Sequence, residues 1–332
     1  MKQVMFFAHD AGGANAIAPL IPSFNNPYVF GKGPALKILP RVQEMPEDAI
    51  QSIEPAFLIT GTSGTDFSER DLWRAAEELH IPSLAVLDSW VNYGIRFSDY
   101  GTDMLHLFDR NCNRLPKYIS VPDSHAKYDM INDGVPENRI YVFGNPYFEF
   151  LASLSKSVRN TQNDKKILFA SQQFEDIYYK DSEIIVLDAL VQLIEKYKDI
   201  TILIRKHPNE PVNKFEQYLD KRVMIDNNES VFESIHISEV VVSVNSMVLI
   251  EAMFFSKKII SYQPKSKNGK DDFILTRNNT LPFINNQYDF EQYFHKVFNA
   301  KKSSLTRSIP CEGITSAISD FIKEIIYVET RN

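Results

Sequence analysis

The chain has 332 residues, 44% hydrophobic and 24% charged, which is enough apolar surface for one large core or two ordinary ones and excludes a peptide or a small stapled module. With 36 Lys plus Arg against 43 Asp plus Glu, the net charge of -7 disfavours global attraction to nucleic acid or to an anionic bilayer, so no nucleic-acid partner is expected. The two cysteines, Cys112 and Cys311, lack metal-ligand spacing and fit a reducing compartment as ordinary thiols. No run approaches the ~20 apolar residues that span a bilayer, and the first residues lack a signal-peptide pattern. A cytoplasmic protein is expected, with peripheral membrane association left open.

Val4 to Ala8 reads as a strand; His9, Asp10, Ala11, Gly12 and Gly13 form a turn, and Ala14 to Ile21 begins a helix. Ala56 to Thr60 and Ser83 to Leu87 are further strands around an amphipathic helix at Glu69 to His80. Lys117 to Val121, a helix near His125 to Asn132, and Arg139 to Phe143 continue the alternation, which implies a parallel sheet with crossover helices. Between Leu151 and Lys166 the apolar pattern lapses into a polar stretch expected to be a linker. A second alternation follows: strands at Ile167 to Ala170, Ile200 to Ile204, Val223 to Ile225, Val240 to Val244 and Ile259 to Tyr262, with helices at Ile184 to Tyr197 and Val248 to Phe255. Ile314, Ile318, Phe321 and Ile325 place an apolar stripe on a terminal helix whose docking face is open, the domain junction being one candidate.

The expected organisation is two Rossmann-like α/β domains, 1–155 and 165–310, facing each other across a ligand cleft, with 311–332 as the terminal helix. Arg205, Lys206, His207 and Pro208 follow a strand, so they fall at the carboxyl edge of the second sheet. A histidine flanked by cations there suits a phosphate or its departure as a leaving group, and Pro208 fixes the turn. Ser243, Asn245 and Ser246 join a strand to a helix, where backbone N–H groups attract anions and where Asn245 or Ser246 equally serves as a cap. Glu251, an acid in an otherwise apolar helix, is read as a ribose acceptor or a solvent-facing side chain. Gln172, after the first strand of that half, is a further donor-site candidate.

Ser243-Val244-Asn245-Ser246-Met247-Val248-Leu249-Ile250-Glu251-Ala252, followed by Lys257-Lys258-Ile259-Ile260-Ser261-Tyr262, resembles the nucleotide-binding signature of GT-B glycosyltransferases. The run from Gly134 to Pro146 is similar to the segment that closes the N-terminal domain in GT-B transferases and in the related UDP-N-acetylglucosamine 2-epimerases. His207-Pro208 with Ser243 and Ser246 resembles the His-Pro and Ser-Ser/Thr motifs of bacterial sialyltransferases, polysialyltransferases and capsule enzymes, although here Val244-Asn245 separates the serines. That resemblance implies His207 at the donor phosphate as general acid toward a departing CMP, with Ser243 and Ser246 holding the phosphate or a sugar carboxylate.

The first half then supplies the acceptor side and, for an inverting transfer, a base: Asp10, with His9 as the alternative, beside Gly12 and Gly13 where substrate approaches closely or the turn simply needs them. Asp88, Trp90, Tyr93 and Arg96 follow another strand and suit acceptor binding through ring stacking and paired hydrogen bonds, or form a self-packed loop with an Asp88–Arg96 ion pair. The 2-epimerases carry a Glu-Ala-Gly-Leu-Arg type segment near this point, and this chain does not. No histidine or cysteine pattern supplies a metal site, so metal- and cofactor-independent chemistry is expected. The expected activity is transfer of a sugar, preferably a nonulosonic acid from CMP, to a glycan or surface-polymer precursor. A nucleotide-sugar 2-epimerase or hydrolase, and a noncatalytic nucleotide-sugar or glycan binding protein, are the alternatives.

Overall fold

A computed structural model describes residues 3–157, 165–173, 179–197, 199–207, 210–266, 273–300, 309, 311–329 and 331. It divides into two compact units, Met1–Ser153 with Ile309–Asn332, and Leu154–Ser308. The first unit holds seven parallel strands: β1 (Val4–Ala8), β2 (Tyr28–Gly31), β3 (Gln43–Glu44), β4 (Phe57–Thr60), β5 (Ser83–Val86), β6 (Tyr118–Val121) and β7 (Ile140–Val142). Their order is β3-β2-β1-β4-β5-β6-β7. The chain builds outward from β1, then returns to lay β4 against the other side of β1, pairing Phe7 with Thr60. This reversal is the switch point where loops from neighbouring strands diverge and leave room for a ligand. All five residues of β1 are buried, as expected of a central parallel strand covered on both faces.

The second unit repeats the scheme with β8 (Lys166–Ala170), β9 (Thr201–Arg205), β10 (Val223–Ile225), β11 (Val240–Ser243) and β12 (Lys258–Ser261), all parallel. Their order is β10-β9-β8-β11-β12, so its reversal lies between β8 and β11. Both units are therefore Rossmann-like, and the fold is of the GT-B type.

The terminal helix, Ile314–Glu329, belongs to the first unit: Ile314, Ile318 and Ile322 are buried in that core, and Phe321 meets the rings of Tyr118, Tyr141 and Phe143. Its start is anchored by Glu149, whose carboxylate accepts the Gly313 and Thr315 N–H groups at 3.0 and 2.7 Å. Of the expected linker, 151–157 is helix, the end of Pro146–Ser157, 165 leads into β8, and 158–164 lies outside the described residues. Proline at the first position and the buried face of Tyr147, Phe148 and Leu151 carry the helix into that polar sequence. Among the described residues no helix is long and apolar enough to cross a membrane.

Candidate functional site

Each unit gathers polar side chains at its own switch point, and each cluster is a candidate site by itself. In the first, the turn after β1 meets the loops after β4 and β5. Asp10 Oδ2 accepts Ser63 Oγ–H at 2.9 Å and the Gly64 N–H at 3.3 Å, while Asp10 Oδ1 lies 2.6 Å from His9 Nδ1. The other ring nitrogen of His9 is 3.6 Å from Asp66, which Lys32 binds at 2.8 Å. Asp88 pairs with Arg96 at 3.2 Å and accepts a hydrogen bond from Thr62 Oγ1 at 3.4 Å. Enclosure pushes the Asp88 carboxyl up from its ordinary value, with Arg96 opposing and Asp10 adding to the rise.

Gly12 and Gly13 fit this crowding. A Cβ on Gly12 would lie 1.9 Å from Asp88 Oδ2, and one on Gly13 would lie 3.0 Å from the Gly61 Cα. The first glycine lets the Asp88 carboxylate reach the turn; the second lets the helix start pack on the end of β4.

Two buried side chains of the Ser68–Glu78 helix hold the first cluster together. Arg70 donates to five backbone carbonyls, those of Ser63, Gly64, Arg96, Ser98 and Tyr100, and so ties the β4 loop to the segment that carries Arg96. Glu69 Oε1 accepts the His9 N–H at 3.0 Å. Both escaped the sequence reading, although Glu69 stands at the head of the spacing Glu69, Leu72, Trp73, Ala76, so a carboxylate on the apolar stripe was a visible signal.

Of the two readings of the loop after β5, ring stacking on a sugar and a self-packed, ion-paired segment, Trp90 and Tyr93 take the packed one. Trp90 is 7% exposed, its ring stacks on Phe148 and its N–H bonds Asp123, and Tyr93 is 6% exposed, so both rings belong to the core of the unit. Arg96 is likewise engaged, by Asp88, by Ser89 Oγ at 2.9 Å and by the Thr62 carbonyl, which accounts for this loop as an ion-paired packing segment.

In the second unit, Gln172 after β8 bridges to the turn after β11. Its carbonyl oxygen accepts the Asn245 N–H at 3.0 Å, and its amide donates to Asn245 Oδ1 at 2.9 Å. The Ser243 hydroxyl does not meet a phosphate as expected: it is buried and donates to the Ala170 carbonyl at 2.6 Å, with Gln172 Oε1 at 3.2 Å. Ser246 caps the Met247–Phe254 helix by accepting the Val248 N–H. These residues converge at the start of a helix whose N–H groups favour an anion. Glu251 is buried, which removes the solvent-facing alternative.

His207, after β9, is exposed, but packed atoms around its ring hold its pKa below the ordinary value, with Lys214 contributing and Glu210 opposing. The His207 backbone N–H donates to Glu210 Oε2 at 2.8 Å, while Glu210 Oε1 takes Ser171 Oγ–H and the Lys214 ammonium, both at 2.7 Å. Glu210 therefore ties the loop after β8 to the loop after β9, another role the sequence reading missed. Arg205 does not face a phosphate as expected: it clamps Asp226 at 3.0 Å and the Asn228 and Glu229 carbonyls. Lys206 donates to the Val212 carbonyl. Pro208 lies outside the described residues. Among the described residues no group of three His, Cys, Asp or Glu is arranged to hold a metal ion.

The fold has many solved counterparts. The chain aligns with the Staphylococcus aureus MnaA–UDP structure over 98% of its length and 97% of that chain, at TM-score 0.68 and 16% identity. It aligns with the Neisseria meningitidis UDP-GlcNAc 2-epimerase bound to UDP-GlcNAc over 97% of its length and 100% of that chain, at TM-score 0.69 and 14% identity. The wall teichoic acid polymerase TagF matches at TM-score 0.59 and 14% identity, over 99% of this chain and 90% of that one. Among curated proteins, a Yersinia pestis UDP-N-acetylglucosamine 2-epimerase is 25% identical over 130 residues, a match that spans 34% of this chain and 34% of that relative. No family model matches the sequence.

Proposed function

We propose that the protein is a nucleotide-sugar enzyme of the UDP-N-acetylglucosamine 2-epimerase type, which inverts a sugar carbon. Carbon 2 of such a sugar has no neighbouring carbonyl, so as its proton is taken the C–H electron pair must expel the nucleotide diphosphate from carbon 1. A proton added to the other face of carbon 2, with the nucleotide or water added to carbon 1, completes the inversion, and the site needs one group to take a proton and one to give it. The observation that carries this reading is the carboxylate pair at the first switch point. Asp88, enclosed and with raised proton affinity, is suited to hold and return a proton; Asp10, 36% exposed and gripped by Ser63, Gly64 and His9, is placed to accept one. The second cluster, with Gln172, Asn245, Ser246 and His207, is suited to the diphosphate, and the solved relatives that hold UDP or UDP-GlcNAc support a uridine nucleotide.

Transfer of a nonulosonic acid from CMP, the activity expected from sequence, is the weaker reading. Arg96 and Arg205, the arginines expected to meet a carboxylate or phosphate, are both committed within their own units. Polymer-precursor transfer keeps one support, the likeness to TagF along 99% of the chain. A thermal-shift panel of UDP, CMP, CDP, GDP and their sugars tests the choice. Selective stabilisation by UDP and UDP-GlcNAc is expected; selective stabilisation by a cytidine nucleotide would reverse the order of the readings.

A further inference from the structure

The Ser68–Glu78 helix buries an acid that the chemistry above does not use. Glu69 is 1% exposed, Oε1 takes the His9 N–H, and Oε2 has no hydrogen-bond partner among the described residues. No cation forms a salt bridge with it among the described residues, although the neighbouring guanidinium of Arg70 feels its charge. The helix start favours an anion there. Burial outweighs that preference, and the charges of Asp10 and Asp66 add to it, so the carboxyl is pushed up to about 8. A surface acid would serve the helix start as well; a sealed one directly beneath His9 and Asp10 ties the shape of the cluster to its own protonation.

We propose that Glu69 is a positioning residue that acts through His9 and Asp10: as a neutral carboxylic acid it holds the turn after β1 in place, and on losing its proton it releases that turn. The groups that act on it are the His9 backbone N–H, the Asp10 and Asp66 carboxylates from the loops after β1 and β4, and Arg70 from its own helix; the His9 ring lies between Asp10 and Asp66. A carboxylate formed in this enclosure has one N–H donor and two neighbouring carboxylates. Its charge is relieved when water enters or the first helical turn shifts, and either displaces His9 from its 2.6 Å contact with Asp10 and loosens the Ser63 and Gly64 contacts. The cluster is thereby competent on the acid side of the Glu69 titration and is lost on the alkaline side.

The effect on turnover rests on the epimerase reading, whereas the effect on the turn does not, so two readouts keep them apart. The first follows the His9 ring resonances by NMR across pH 6 to 10 in the wild type and in Glu69→Gln, which keeps an acceptor for the His9 N–H and cannot ionise. An inflection near pH 8 in the wild type that is absent from E69Q is expected; superimposable curves would overturn the proposal. The second is the ratio of kcat/KM at pH 9 to that at pH 7 with UDP-GlcNAc. A roughly tenfold fall is expected for one ionisation near pH 8 in the wild type, and a ratio near one for E69Q; an equal fall in both would overturn the proposal. If E69Q does not fold, the wild-type inflection is assigned by the carboxyl resonance of Glu69, and a carboxyl that titrates below pH 6 would overturn it. Absence of sugar conversion at every pH, with the NMR difference intact, refutes the epimerase reading and leaves the Glu69 proposal standing.

Discussion

Replacing Gly12 by alanine should reverse its effect depending on whether Asp88 is present. In a helix, Gly→Ala alone stabilises by about 0.5–1 kcal/mol, because alanine loses less backbone entropy. Here the new methyl would lie 1.9 Å from Asp88 Oδ2 and 3.0 Å from its Cγ, so the carboxylate must rotate away. Rotation costs Asp88 its 3.2 Å bond to Arg96 and its 3.4 Å bond from Thr62; a charge-assisted hydrogen bond contributes about 1.5–3 kcal/mol. The balance predicts that G12A destabilises the wild type by about 1–2 kcal/mol. In a D88A background the obstruction is gone, and the same substitution is predicted to be neutral or stabilising by up to about 1 kcal/mol. The coupling in a double-mutant cycle is thus about 2 kcal/mol. Urea unfolding followed by tryptophan fluorescence measures it within the relevant unit, because both tryptophans, Trp73 and Trp90, are buried in the first unit. Equal destabilisation by G12A in both backgrounds would refute the reasoning.

Two further outcomes follow from the buried acid and from the second cluster. Glu69 binds its proton more tightly when folded, with a carboxyl near 8 against 4.5 in an unfolded chain, so its contribution is fully favourable below about pH 4.5 and is lost progressively up to about pH 8. The span of about 3.5 units sets an upper bound of about 5 kcal/mol; E69Q is predicted to unfold at higher urea than the wild type at pH 8 and to flatten the pH dependence between 5 and 8. His207→Ala is predicted to keep the unfolding midpoint of the wild type, because the side chain is exposed, and to lower turnover at least tenfold. Wild-type turnover in that variant would remove His207 from the mechanism.

Where strands alternate with amphipathic helices, as from Val4 to Ala8 and from Val240 to Phe255, the elements were legible because buried parallel strands read as unbroken apolar runs. The edge strand β3 and its neighbour β2 escaped: both residues of β3 are exposed, and β2 has four residues and opens with exposed Tyr28. The Gln287–Asn299 helix also escaped, since its buried contacts rest on Phe290 and Phe294 amid polar residues. The placement of candidate residues was legible wherever one follows a strand, which put Asp10, Asp88, Gln172 and His207 at the carboxyl ends of β1, β5, β8 and β9. Their partners were not, because hydrogen bonding across 26 to 73 positions decides them: Arg96 holding the Thr62 carbonyl over 34 positions and Gln172 holding Asn245 over 73. Sequence does not tell an open aromatic ring from a packed one, so it leaves the sugar platform and the self-packed loop both open for Trp90, and only the contacts with Phe148 and Asp123 decide for packing.

Incubation with UDP-N-acetylglucosamine in D2O, followed by proton NMR, tests the central claim most directly. A proton taken from the sugar and returned from an exchangeable carboxyl brings solvent deuterium with it. The account predicts loss of the carbon-2 proton signal and growth of the carbon-2 epimer, free or nucleotide-linked, with both abolished in Asp88→Asn. Unchanged substrate, or slow hydrolysis with the carbon-2 proton retained and no epimer formed, would contradict it.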